Sequence, residues 1–239
     1  MSVTKYTDIN EIDENIDSPW IITNRLFVLN RPQLHPLWHK VHKRLTSSLF
    51  GACVGHCMYN TPEDAARRIL IPSVKSSEAI KHGLDKEPVV REWYKQEHPE
   101  YKIIEVGMAI LKDRPYIGAS PDGLVDDDGM IEIKCSLKPL PKSIRRYKEH
   151  KNITKIYDEI PEEHSHIIPS HYDQMQGCMA VYGRKWCDYI FYAKDDTFVH
   201  RIPFNEKYWQ EFLLPKLDRF YNVFLKGKVN VNMQDYIEE

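Results

Sequence analysis

The chain has no Cys-x-x-Cys pair: its five cysteines stand apart at positions 53, 57, 135, 178 and 187. Cys53 and Cys57, with His56 between them, have no second spaced pair to complete a zinc or iron–sulfur framework. The thiols are therefore expected to be reduced and packed, in an intracellular compartment. The N-terminal stretch carries Asp8, Glu11, Asp13, Glu14 and Asp17, so it lacks the apolar run of a signal peptide. No later stretch approaches the length of a membrane span, and no membrane association is expected. A large net charge is missing too, at −2 over 239 residues. That excludes a globally cationic polyanion binder but not a local one: from Lys138 to Lys155 seven basic residues face one acid, Glu149.

What is present is a folded composition, 42% hydrophobic and 28% charged, with no repeat and no low-complexity tract. The length suits one hydrophobic core, and two full domains would be crowded. Residues 1–34 read as a polar N-terminal arm, and 35–239 as a single domain with peripheral helices. Within it, 37–58 is helical around a short turn. Thr61-Pro62-Glu63-Asp64 is a helix start, with a cap, a first-turn proline and early acids. A helix over 76–96 is expected to kink, because Gly83 and Pro88 interrupt it. Strands are expected at 103–111, around Tyr116, at 122–125 and at 130–135. A helix follows at 171–182, then paired strands at 186–193 and 197–202. The terminal amphipathic helix at 205–224 is crossed by Pro215. The fold class is α/β, a central mixed β-sheet flanked by helices.

The densest chemistry lies in Gly118-Ala119-Ser120-Pro121-Asp122-Gly123, followed by Ile131-Glu132-Ile133-Lys134. Gly129 supplies a tight turn, and alternation in the strand puts Glu132 and Lys134 on one face. With Glu87, the two acids form a set of hard oxygen ligands suited to Mg2+ or Mn2+. The Ile133 carbonyl could add a backbone oxygen, and Lys134 could orient a water or stabilise charge at phosphorus. Each piece alone has a plainer reading. Ser-Pro-Asp-Gly is an ordinary turn, Glu132 and Lys134 could form a surface ion pair, and a basic run is usually a solvated face. The combination outweighs the parts.

These residues resemble the PD-(D/E)XK nuclease superfamily, specifically its phage lambda exonuclease-like, YqaJ-like viral recombinase branch. Trp38-His39-Lys40 through Thr46-Ser47-Ser48 is similar to that family's N-terminal segment. Gly83 to Pro88 is similar to its Gly-x-x-x-Glu-Pro motif, and Tyr172-Asp173-Gln174-Met175-Gln176 to its later helix motif. Together with the acidic core, the ordered matches span about 38–183. The resemblance implies a restriction-endonuclease-like core, a viral or phage origin and a Mg2+-dependent deoxyribonuclease, with Mn2+ as a substitute. It further implies 5′-to-3′ exonuclease action on duplex DNA ends, leaving 3′ tails for recombination. A structure-specific endonuclease and a non-catalytic DNA-end-binding protein are the competing readings.

By the same resemblance Glu87, Asp122 and Glu132 are metal-facing acids, Lys134 the catalytic lysine and Gln176 the active-site glutamine. On a helix Gln174 and Gln176 project roughly 200° apart and cannot serve one site equally, whereas Tyr172 shares the Gln176 face. Where the family has an arginine four residues after the tryptophan, this chain has His42. Arg44 and Ser48 are then expected to complete a 5′-phosphate pocket. Because histidine binds phosphate well only when charged, preference for a phosphorylated end is expected to rise toward acid pH. Lys142, Arg145 and Arg146 in the basic run, and Tyr172, are further DNA-contact candidates, with Tyr147 and Tyr157 able to stack on frayed bases. A single-strand annealing protein and a homo-oligomer, as in the trimeric lambda exonuclease, are the partners the resemblance suggests.

Overall fold

Strands covered on both faces lose the apolar–polar alternation of half-exposed ones, and the strand carrying Glu132 is of this kind. In the computed structural model, residues 3–5, 8–11, 17–31, 33, 35–71, 77–140, 142, 160–193 and 196–238 are described. β9 (Gly129–Ser136) is buried along its first five residues. Its Ile131 and Ile133 pack with Val90 and Tyr94 of α4 (Glu78–Glu97) and with Val125 and Ile190. Met130 joins the main core, where Met175, Cys178 and Met179 of α5 (Pro169–Tyr182) also lie.

Hydrogen bonding divides the mixed α/β architecture into two sheets. In the five-stranded sheet the order is β11 (Asp196–Pro203), β10 (Trp186–Ala193), β9, β8 (Gly123–Val125), β5 (Ile103–Ile104). Only β9 and β10 run parallel in it, and the chain between them includes α5, as a parallel crossover requires. The six-stranded sheet runs β1 (Val3–Lys5), β2 (Trp20–Ile22), β3 (Leu26–Leu29), β6 (Ala109–Leu111), β7 (Ile117–Ala119), β4 (Leu45–Thr46). The chain leaves one sheet for the other at Ser120-Pro121-Asp122, between β7 and β8. The acidic turn thus sits on the seam between two rigid layers.

Three expectations are corrected. The polar arm of 1–34 contributes β1, β2 and β3, half the strands of the six-stranded sheet, with Trp20 and Leu29 fully buried because short apolar runs there pair inside it. The apolar stretch 103–111 is two strands in different sheets, not one. The expected α/β class, mixed strands flanked by helices, holds, with the strands divided between two sheets. Finally, α4 is a single helix through Gly83 and Pro88, capped by the Ser77 side chain, which accepts from the Ile80 N–H. The carbonyl that Pro88 leaves unpaired belongs to Leu84, on an exposed face where water can serve it.

Other elements follow the sequence closely. Thr61 and Asp64 form a reciprocal capping box at the start of α3 (Pro62–Leu70). α1 (Pro36–Val41) and α2 (Ser47–Cys53) flank the short β4. Gly177 brings α5 against Phe50 of α2, so closely that a Cβ would collide with the ring. The C-terminal helical run does not break at Pro215. A π-helical stretch, Tyr208–Leu213, precedes it, so the proline falls in the first turn of α6 (Leu214–Phe220), where its missing N–H costs least. A second π stretch, Tyr221–Leu225, and the short α7 (Gln234–Ile237) complete the chain.

Candidate active site at the sheet seam

Asp122 is positioned by backbone. Its N–H donates to the Ile131 carbonyl at 3.3 Å, and its Oδ2 accepts from the Ile133 N–H at 2.6 Å, so the turn is stitched onto β9. Glu132 lies between those two positions in sequence, and strand alternation turns it away from the isoleucines and toward α5. Its Oε1 accepts from Lys134 Nζ and from Gln174 Nε2, each at 2.5 Å. Lys134 Nζ also donates to Gln174 Oε1 at 2.9 Å, closing a three-membered ring of side chains. Glu87 approaches from α4, held by Arg91 Nη2 at 2.6 Å. Over Glu87 and Asp122 opens a cleft of about 420 Å³, also lined by Leu84, Arg91, Glu105 and Arg31.

The electrostatics are those of crowded carboxylates. Burial first, then the Asp122 charge, raises the Glu87 carboxyl to about 7 against the partial relief of Arg91 and Lys134. Burial raises Glu132 to about 8, with Asp122 and Glu87 adding to it and Lys134 opposing. Asp122 is also raised, chiefly by burial. Burial pulls the Lys134 ammonium down, but Glu132 and Asp122 together outweigh it and hold the group above its ordinary value.

Among the described residues no three His, Cys, Asp or Glu side chains stand close enough together to hold an ion as they are. The donor set nevertheless fits a hard divalent cation. Beyond burial, Asp122 raises both Glu87 and Glu132, Glu87 adds to Glu132, and Glu132 Oε2 is buried without a hydrogen-bond partner among the described residues. Such an orphaned oxygen is costly unless a charge is supplied to it. Ile133, expected to offer its carbonyl, enters this geometry through its N–H to Asp122.

The structure brings Glu87, Asp122, Glu132 and Lys134 to one place and puts Gln176, Tyr172 and Arg44 elsewhere. Gln174, not Gln176, meets Glu132 and Lys134. Gln176 is fully buried, donates to the Pro203 carbonyl at 3.0 Å and accepts from the Asn205 N–H at 2.8 Å, which ties α5 to the end of β11. Tyr172, on its face, is equally buried, with its ring 5.1 Å from that of Tyr208, and cannot reach DNA. Helical geometry separates the two glutamines as expected, and it is Gln174, not the Gln176 that the family resemblance implies, that turns toward Glu132.

The expected phosphate pocket is corrected in the same way. Arg44 is fully buried; it donates to the carbonyls of Val41 and Pro115, and its guanidinium lies 5.6 Å from the Tyr236 ring. His42 packs against Trp38, with ring centroids 4.2 Å apart and planes tilted by 32°. Burial, with His39, Arg68 and Arg44 adding repulsion, lowers its pKa to about 4. Ser48 is exposed, its hydroxyl 3.4 Å from that of Thr46. Lys142 is exposed, while Arg145, Arg146, Tyr147 and Tyr157 lie outside the described residues. Arg91 is a site residue that the sequence expectation lacks; its signal is its place four residues after Glu87 on a helix.

Residues 37–185 match the family model of the YqaJ-like viral recombinase domain. No curated protein matches the chain. Among solved structures, an alkaline exonuclease (LHK-Exo) from Laribacter hongkongensis is 24% identical, with a TM-score of 0.55 over 84% of this chain and 93% of that one. The complex of LHK-Exo with dAMP is 25% identical, with a TM-score of 0.56 and the same coverage. No helix among the described residues is long and apolar enough to cross a membrane.

Proposed function

Because the chain belongs to the YqaJ-like viral recombinase family, we propose that it is a metal-dependent DNA exonuclease acting 5′-to-3′ on duplex ends and leaving 3′ single-stranded tails. The observation that carries this reading is the buried Glu132, whose one oxygen is held by Lys134 and Gln174 while the other has no partner among the described residues, beside Asp122 and Glu87. The likeness to an alkaline exonuclease, solved also with a nucleotide, supports it. Asp122, Glu132 and Glu87 would hold Mg2+ or Mn2+, which when bound supplies polarisation of the scissile phosphate and acidification of water.

The side chains divide the remaining work. Gln174 fixes the rotamers of Glu132 and Lys134 by bonding to both. Lys134, held charged by its acidic neighbours, is a donor at neutral pH and a poor general base. Its role is to orient the attacking water or to neutralise charge growing on the phosphoryl oxygens. Burial of the cluster excludes competing solvent, which strengthens each of these interactions.

One assay tests the reading. Linear duplexes with 5′-phosphate or 5′-hydroxyl, nicked circles and intact circles are incubated with Mg2+, Mn2+ or chelator. Mononucleotide release from linear DNA, absent in chelator, is expected. Cleavage of intact circles would replace it with an endonuclease, and release from 3′ ends would reverse the direction.

A further inference from the structure

We propose that Arg91 is the positioning residue of this site, a three-pronged guanidinium clamp that sets Glu87 relative to Asp122. Nη2 donates to Glu87 Oε1 at 2.6 Å, Nε to the Asp122 backbone carbonyl at 2.8 Å, and Nη1 pairs with Glu105 Oε2 at 3.0 Å. The three acceptors come from α4, from the seam between β7 and β8, and from the segment joining β5 to β6. Arg91 therefore joins one helix to both sheets at the point where the acids converge. Its side chain is only 11% exposed, whereas Glu105 is 58% exposed and anchors the outer prong.

An ordinary surface ion pair would not have this form. The bond to the Asp122 carbonyl fixes the backbone from which the Asp122 carboxylate projects, while the bond to Glu87 fixes the carboxylate across the cleft. Both acids thus take their separation from one rigid planar group. The guanidinium also supplies positive charge that keeps two neighbouring acids tolerable together. A lysine carries the charge on a single nitrogen and cannot span the same three acceptors.

The inference rests on the nuclease reading, so the unaltered chain is assayed first. Total inactivity on linear duplex with Mg2+ and with Mn2+ would overturn that reading before any variant is made. With activity in hand, single-turnover rates at saturating Mg2+ and DNA are compared for Arg91→Lys and Arg91→Gln, alongside duplex affinity in Ca2+ and thermal unfolding. Both variants are expected to lose about 10- to 100-fold in rate, because small misplacements at a reacting centre cost that much, with duplex affinity within roughly twofold. Full rescue by lysine would show that charge alone suffices and overturn the clamp. Loss confined to temperatures where the variant unfolds would assign Arg91 to stability and overturn it too. The double variant Arg91→Gln with Glu87→Gln should be no slower than about threefold below the worse single variant, since both act through one carboxylate; multiplied losses would contradict the inference.

Discussion

Of the polar clusters expected to meet DNA, the acidic one around Asp122 and the basic one around Arg44 are treated oppositely by the fold. At the seam, the backbone places the carboxylates: Asp122 is stitched to β9 through two backbone bonds, and Glu132 retains an oxygen with no partner among the described residues. Between α1 and β4, the cations themselves are the fold's fasteners. Arg44 is engaged with two backbone carbonyls, and His42 is a neutral ring on Trp38. Each cluster keeps one buried atom with no partner among the described residues, Glu132 Oε2 and Arg44 Nη2, so the difference lies elsewhere: Asp122 and Glu87 line an open cleft, whereas the Arg44 guanidinium is engaged mainly with carbonyls at helix and loop ends.

The sharpest way to break this contrast is to neutralise the acids. Asp122→Asn or Glu132→Gln should lower hydrolysis by about 10³-fold or more at saturating Mg2+, as expected when ligands of an essential ion lose their charge. Folding should persist by circular dichroism, since the volumes hardly change. Retained turnover in both purified variants would return the cluster to a structural role. The paired glutamines give a smaller, internal comparison. Gln174→Ala should lower turnover by about 10- to 100-fold, whereas Gln176→Ala should cost stability, about 1–3 kcal/mol, with turnover at low temperature intact. The reverse pattern in rates and urea midpoints would undo the assignment of Gln174.

The same contrast explains what the sequence could disclose. Asp122, Glu132 and Lys134 were legible because a turn and a strand of period two fix their relation over a few residues. The capping box at Thr61 was legible for the same local reason. Arg44 was not, because its partners Pro115 and Tyr236 are distant in sequence. The strands at Trp20 and Leu26 were hidden by the acidic residues before them, and only pairing with β6 reveals that they belong to a sheet. Pro88 misled because a proline's cost depends on whether the orphaned carbonyl is wet, which no local pattern states.

Arg44→Met tests the other half of the contrast. It removes the donors to one buried and one half-buried carbonyl and should destabilise the chain by on the order of 2–4 kcal/mol, read from chemical unfolding. The rate per folded molecule should stay within about twofold. A selective loss of rate on 5′-phosphorylated ends without loss of stability would make Arg44 a ligand after all.

The acid cluster also carries a pH signature. Glu87 at about 7 and Glu132 at about 8 hold protons in the folded chain that the unfolded chain releases near its ordinary value of about 4.3. Between those limits the folded state binds more protons, so without a divalent ion stability should fall as pH rises from about 5 through 8. A divalent ion binds the deprotonated acids, so Mg2+ should raise Tm by a few degrees near pH 8 and by less near pH 6. Equal Mg2+ shifts at both values would separate the cluster from metal binding.

The smallest effect concerns the DNA end. If His42 acted as a charged phosphate ligand, the ratio of initial rates on 5′-phosphate and 5′-hydroxyl ends would climb toward pH 6. Burial and the neighbouring cations instead lower its pKa to about 4, so the ring is neutral throughout that range. The ratio should therefore stay constant within about twofold between pH 8 and pH 6, which revises the expectation drawn from the residue type alone. His42→Phe preserves a ring for Trp38 to pack against and removes both nitrogens, and it should leave the ratio unchanged at either pH. Taking the ratio at each pH cancels the general effect of acidity on the acid cluster, so the measurement isolates the end. A ratio that climbs toward pH 6 in the original chain and stays flat in the phenylalanine variant would restore His42 as a cation, and with it a basic site between α1 and β4.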